Sequence, residues 1–145
     1  MGNSTKGYAA RVREAFAAFN RGDPAGYATQ YAEDAKTIGP FCPEPLVGRD
    51  VIEQTTVAMS KAFPDMQWTI VTLLEDGNRV ACELHIEGTH NGPLPTPAGE
   101  VPATGRTVSF DASAIYEFNE DGLVDELREY MDPGALMAQL GLTGE

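Results

Sequence analysis

Helical periodicity fills the first part of this chain and strand periodicity the second. That order constrains the fold more than any other feature of the sequence. Tyr8, Val12, Ala15, Phe16 and Phe19 share one stripe of a helix expected over residues 5–20, with Arg11, Arg13 and Glu14 elsewhere on the wheel. Asn20-Arg21-Gly22 ends it. Asp23-Pro24 opens a short second helix, Asp as N-cap and Pro as first helical residue, which projects Tyr27 and Tyr31. A short strand is expected near Ala35–Ile38. Gly39 to Gly48 holds three prolines and two glycines and reads as loop. Asp50-Val51-Ile52-Glu53 has the form of a capping box for a third helix ending at Ala62, with Ile52, Thr55, Thr56, Met59 and Phe63 on its stripe.

From Met66 onward the period changes to two. Met66–Glu75, Arg79–His90, Gly105–Phe118 and Leu123–Met131 read as long strands. Asp76-Gly77-Asn78 and Asn119-Glu120-Asp121-Gly122 are the turns between strands. Asn91 to Thr104 is a Pro/Gly-rich loop with the length of a pocket lip or lid. Asp132-Pro133 caps a terminal helix carrying Leu136, Met137 and Leu140. Helices followed by a strand meander predict one α+β domain over residues 1–145, with the helices packed on one face of a curved antiparallel sheet. The concave face of such a sheet and the helices above it enclose a small-molecule pocket.

The chain has 145 residues, which suits a single domain. Ten Lys plus Arg against 22 Asp plus Glu give a net charge of −12. That surface disfavours nucleic acid and anionic membrane as partners. Cys42 and Cys82 make neither a disulfide framework nor a C-x-x-C pair. The N-terminal stretch lacks an apolar core and a cleavage site, and Lys6 stands where a myristoylation signal wants Ser or Thr. A cytoplasmic location is the expectation.

Strand parity selects the residues able to carry chemistry, because alternate residues share a face. On 123–131, Glu129 shares a face with Leu123, Asp125, Leu127 and Met131. Turned inward, Glu129 is a carboxylate in apolar surroundings with a raised pKa, as a general base or acid near neutral pH requires. Turned outward, it makes a salt bridge. On 107–118, Val108, Phe110, Ala112, Ala114, Tyr116 and Phe118 share a face. The two alanines leave room for a cavity wall or for a closely packed helix. Tyr116 can hydrogen-bond a ligand oxygen or serve as a core aromatic.

On 80–87, Glu83, His85 and Glu87 alternate on one face. A solvated or subunit-facing surface accounts for them better than a metal site, and with two histidines in the chain no metal is expected. His90 either orients a substrate or ties down the loop that follows, and the tie is favoured. Cys42 is a weak nucleophile candidate, and no G-x-S-x-G, P-loop or dinucleotide fingerprint is present.

Several phrases carry a family resemblance: FAAFNRGDPAGYATQYAEDA, GRDVIE, KAFPD, DGNRVACELHIEGTHNGPL, PATGRTVSF, IYEFNEDGLVDELREYMDP and LMAQLGL. With these the chain resembles the SnoaL-like polyketide cyclases of the NTF2-like superfamily, over nearly its whole length. The resemblance implies a cone-shaped, cystatin-like α+β fold with a deep apolar pocket, no cofactor, and a homodimer or higher homo-oligomer built through the sheet. It implies aldol cyclisation of a polyketide, with an acid on the last strand as base and acid. That position falls on Glu129, where the cyclases carry Asp. On the neighbouring strand, relatives often place a polar residue where this chain has Ala114.

The function expected is a cofactor-independent cyclase or isomerase acting on an apolar carbonyl compound. Glu129 moves the proton and Tyr116 polarises the carbonyl. Phe16, Phe19, Tyr31, Met59 and Phe63 from the first half line the pocket, with Ala112, Ala114, Leu127 and Met131 from the sheet. A non-catalytic ligand-binding or dimerisation module is the alternative. An epoxide hydrolase fits less well, because no Asp–Arg–Asp set assembles on this face.

Overall fold

The computed structural model describes residues 7–40, 42, 44–96 and 98–142. Gly2, and the first two residues of the helix expected over 5–20, lie outside the described residues. Helix α1 (Tyr8–Asn20) buries Val12, Ala15, Phe16, Ala18 and Phe19, so the amphipathic stripe is its core face. Helix α2 (Pro24–Ala28) starts as its sequence dictates: the Asp23 carboxylate accepts the Gly26 N–H at 2.9 Å, and Pro24 occupies the first turn. It ends before Tyr31, which instead opens strand β1 (Tyr31–Ile38). A two-residue strand, β2 (Leu46–Val47), sits in the proline-rich stretch.

Helix α3 (Arg49–Ala62) begins one residue before Asp50, and the expected capping box does not form. Gly48 takes the N-cap position with φ +111°, a conformation that glycine adopts far more readily than other residues. The turn at Gly48 thus places the helix start upstream of the Asp50 side chain.

Strands β3 (Gln67–Asp76), β4 (Arg79–Thr89), β7 (Thr107–Phe118) and β8 (Val124–Tyr130) form the expected antiparallel meander. The full sheet runs β2-β1-β8-β7-β4-β3, and β1 lies parallel to β8. The sheet is therefore mixed, which corrects the expectation of a purely antiparallel one. The reason is where the two strands begin: the Val124 N–H donates to the Gln30 carbonyl at 2.8 Å, so β1 and β8 start at the same end.

Two bulges bend the sheet. Val71 is an extra residue in β3, between the pairs Ile70–Leu84 and Thr72–Glu83. Asp125 is an extra residue in β8, between Val124–Phe118 and Glu126–Glu117. The second bulge breaks the parity expected along 123–131. Upstream of it Val124 is buried and Asp125 is exposed. Downstream, Leu127 and Glu129 share the inner face.

The 91–104 segment is a small hairpin, β5 (Leu94–Thr96) with β6 (Gly99–Val101), seated against α3. The N–H groups of Asn91 and Gly92 both reach the Ala62 carbonyl, at 3.0 and 3.1 Å. His90 is fully buried and fastens the base of the segment: its Nδ1 accepts from the Thr104 hydroxyl (2.9 Å) and N–H (3.2 Å). Helix α4 (Pro133–Gln139) is capped by the Asp132 carboxylate. It closes the part of β7 that β8 does not reach. There the Gln139 amide accepts the Ser109 N–H (2.7 Å) and donates to the Ser109 carbonyl (3.0 Å), as a neighbouring strand would.

Candidate active site

A cavity of about 110 Å³ lies between the helices and the inner face of the sheet. Phe19, Tyr27 and Trp68 form an aromatic end. Ile52, Thr55, Thr56 and Met59 come from α3, Leu46 from β2, Thr37 from β1, and Leu127 and Glu129 from β8. Helix α3 contributes one stripe at helical spacing. Thr37 pairs with Leu127 across the β1–β8 register, so both bring their side chains to this side.

Glu129 is the single acidic side chain in the described wall. Glu129 keeps accessible surface at the end of β8 while also lining the cavity. Desolvation of the carboxylate pushes its pKa up from 4.5 to about 7. The loop after β1 passes close over it: a β-carbon on Gly39 would lie 3.3 Å from Glu129 Oε1. Cys42 follows in the same loop, and burial together with the Glu129 charge raises its thiol pKa.

Three buried tyrosines stand beside the carboxyl. The hydroxyls of Tyr27 and Tyr31 are 2.5 Å apart, and Tyr116 lies close enough to couple to Tyr27. Burial raises all three above the ordinary phenol value, and the Glu129 charge adds to each. They are neutral donors throughout the physiological range. Tyr27 is the member that reaches the cavity wall.

Trp68 is fixed from two sides. The Asn20 side chain, at the end of α1, accepts the Trp68 N–H and donates to its carbonyl, both at 2.8 Å. The indole stacks on Phe19 with ring centroids 3.7 Å apart and planes 6° apart. Phe16 and Tyr27 meet it in edge contacts at 5.2 and 5.6 Å.

The outer face of the same sheet carries a different cluster. His85 Nδ1 meets Asp111 Oδ1 at 2.7 Å, and its Nε2 meets Ser109 Oγ at 2.9 Å and Glu87 Oε2 at 3.2 Å. The Asp111 hydrogen bond, followed by the charges of Asp111 and Glu87, raises the His85 pKa. No group of three side chains suited to hold a metal ion occurs among the described residues. A larger groove of about 200 Å³ crosses this face between Val71 and Tyr130. It is not enclosed, since those two walls are themselves 63% and 56% exposed.

An inward acid at the end of an aromatic-walled cavity, under helices on a bent sheet, invites comparison with known proteins. The SnoaL-like domain family matches residues 12–127. The chain belongs to the SnoaL-like family.

Solved structures support the same fold for this SnoaL-like protein. AclR from Streptomyces galilaeus, a candidate hydroxylase, is 25% identical with a TM-score of 0.79, over 95% of this chain and 83% of its own. A candidate SnoaL-like polyketide cyclase from Jannaschia sp. CCS1 is 16% identical with a TM-score of 0.76, over 93% of both chains. IdmH from Streptomyces antibioticus, a candidate polyketide cyclase, is 24% identical with a TM-score of 0.71, over 92% of this chain and 98% of its own. No curated protein matches the sequence. No described helix of the SnoaL-like chain is long and apolar enough to cross a membrane.

The residues expected at the SnoaL-like site fall in three places. Glu129, Phe19, Met59 and Leu127 stand in the cavity wall. Phe16, Tyr31, Ala114 and Tyr116 lie behind it in the core. Phe63 stacks on His90 instead, Ala112 borders the outer groove, and Met131 follows the end of β8, half-buried. Tyr27, Thr37, Thr56 and Trp68 enter the wall without having been singled out as lining. Alternation along Gln67–Ile70 carries a signal for Trp68, since it puts Trp68 and Ile70 on one face.

Proposed function

We propose that this protein is a cofactor-independent acid–base enzyme of the polyketide-cyclase type, acting on an enolisable ketone or related apolar carbonyl compound. The observation that carries the reading is Glu129: one carboxyl, with desolvation raising its pKa to about 7, on the wall of a cavity that Tyr27 also lines. The Glu129 carboxylate takes the proton α to the carbonyl. The electron pair moves onto the carbonyl oxygen, and Tyr27 donates a hydrogen bond to the enolate. Tyr31 and Tyr116 hold Tyr27 in place from the core side. In cyclisation, the enolate carbon attacks a second carbonyl of the same molecule and a C–C bond forms. Protonated Glu129 then returns its proton to the new alkoxide. In isomerisation, the proton returns to a different carbon.

Tyr27 replaces Tyr116 as the donor at the substrate, because Tyr116 stands one layer further from the cavity. Arg128 is turned away from the site and pairs with Glu126 on the outer face. Epoxide hydrolysis through an acid–Arg–acid set thus has no support in the described wall. The binding-module alternative has one supporting observation: Ala114 sits opposite Glu129 in the β7–β8 register and offers the carboxyl no polar partner.

Two further expectations belong to this proposal. One is a cytoplasmic location. The other is a homodimer or higher homo-oligomer, for which Val71, Leu74 and Tyr130 supply exposed apolar surface on the sheet.

The test is proton exchange at the α-carbon of a simple ketone in D₂O, with aldol closure of a diketone as the second assay. The wild-type rate rises with pH through about 7 as Glu129 ionises, and Glu129→Gln abolishes the rise. Tight ketone binding with no exchange in either protein would decide for the binding module.

A further inference from the structure

We propose that Trp68 is the specificity-determining residue of this site, and that it restricts the enclosed part of the substrate to a single ring or a chain of similar bulk. The inference rests on the function proposed above for its chemistry, though its test reads binding alone.

The cavity measures about 110 Å³. An apolar protein cavity of about 150 Å³ takes benzene, and drug-sized ligands occupy roughly 300–1,000 Å³. A fused polycycle therefore does not fit inside beside Glu129. By the same measure one carbonyl-bearing ring is the upper limit and enters only in part, with the remainder of the molecule leaving through the side where Leu46, Thr55 and Met59 are only partly covered or exposed.

Whether the cavity deepens depends on the aromatic end, and that end is locked. Asn20 holds both backbone polar groups of Trp68 in the manner of a neighbouring strand. Phe19 covers one indole face, while Phe16 and Tyr27 meet its edges. Swinging the indole aside breaks the Phe19 stack and both edge contacts, and costs the packing of a half-buried ring. Induced fit at this end is thereby opposed. Size selection becomes a property of one side chain.

The experiment compares cyclohexanone with 1-decalone, a one-ring and a fused two-ring ketone, by amide chemical-shift titration of the labelled protein. Wild type binds cyclohexanone, with shifts at Trp68, Leu127 and Glu129, and binds 1-decalone at least ~10-fold more weakly, about the effect of 1.4 kcal/mol. In Trp68→Ala the preference reverses. Trp68→Leu is the second variant, in case the larger truncation unfolds the chain, and it moves the ratio the same way. Equal affinity of wild type for both ketones, binding of neither, or an unchanged ratio in a folded Trp68 variant overturns the proposal. Glu129→Gln keeps the size preference while losing proton exchange, so failure of the acid–base reading and failure of the size filter are separable.

Discussion

Glu129 and His85 stand on opposite faces of one sheet, and both hold a proton more tightly than in water. For Glu129 the cause is desolvation: the cavity is a poor solvent for the carboxylate, so the neutral acid is favoured. For His85 the cause is attraction: Asp111 and Glu87 favour the imidazolium. Desolvation favours the neutral form of the inner group, and neighbouring carboxylates favour the charged form of the outer one. An upward shift therefore does not identify a working site. His85 has both ring nitrogens engaged, by Asp111 on one side and by Ser109 and Glu87 on the other, and lines neither the cavity nor the outer groove. Glu129 has a cavity in front of it and a proton to exchange near pH 7.

The largest effect that would sharpen this contrast is Glu129→Gln. It is expected to lower proton exchange about 10²–10⁴-fold, the usual worth of a placed general base. It also changes stability with a defined sign. Between about 4.5 and about 7 the unfolded chain has lost this proton and the folded chain retains it, so wild-type stability falls as pH rises through that window. Denaturant melts at pH 5 and pH 8 should show a smaller fall in Glu129→Gln than in wild type. An identical pH dependence in both would return Glu129 to the class of solvated carboxylates.

Next in size is Tyr27→Phe, which removes the donor while leaving the wall in place. A fall of about 10²-fold in kcat with little change in KM is expected, the signature of a group that binds the enolate better than the ketone. A change confined to KM would make Tyr27 a packing residue.

The outer cluster should respond to salt and the inner site should not. His85 has its pKa raised above 6.5, so its stabilising contribution is full below 6.5 and is lost as pH rises through the folded value. His85→Gln is expected to lower Tm slightly at pH 6 in dilute buffer, and not at ~1 M salt, where the screening length is about 3 Å. Its proton-exchange rate should equal that of wild type. A loss of activity would put the outer cluster into the chemistry and dissolve the contrast.

The smallest effect belongs to Gly39→Ala. The added methyl stands 3.3 Å from the Glu129 carboxyl oxygen and excludes water from it. A modest further rise in the Glu129 pKa, read by carboxyl carbon shift, is the expected result.

The sequence reads well where a rule is local and poorly where distant segments meet. Asp23 and Asp132 announce their helices through short-range caps, and both caps form. The inner row Val108 to Phe118 follows from alternation within one strand. Glu129 faces the cavity on the same principle, but Asp125 shows its limit. A bulge is a property of two strands together, and the upstream half of β8 lies in opposite phase for that reason. The parallel β1–β8 pairing joins segments about ninety residues apart in the chain, which periodicity does not connect. Tyr27 and Tyr31 look equivalent on a continuing helix. Once α2 stops at Ala28, Tyr27 reaches the wall and Tyr31 becomes its buried support. Trp68 owes its position to Asn20, forty-eight residues away.

The Gln139 clamp on Ser109 has a consequence of another kind. Beyond the reach of β8, the margin of β7 is finished by a single side-chain amide that plays the part of a peptide group. An open strand margin is a template on which another chain can add. Helix α4 is thus a selvedge: it stops the weave of the sheet from continuing into a neighbour. Gln139→Leu removes that finish while leaving the cavity untouched, and the protein's tendency to self-associate, rather than its chemistry, is what should change.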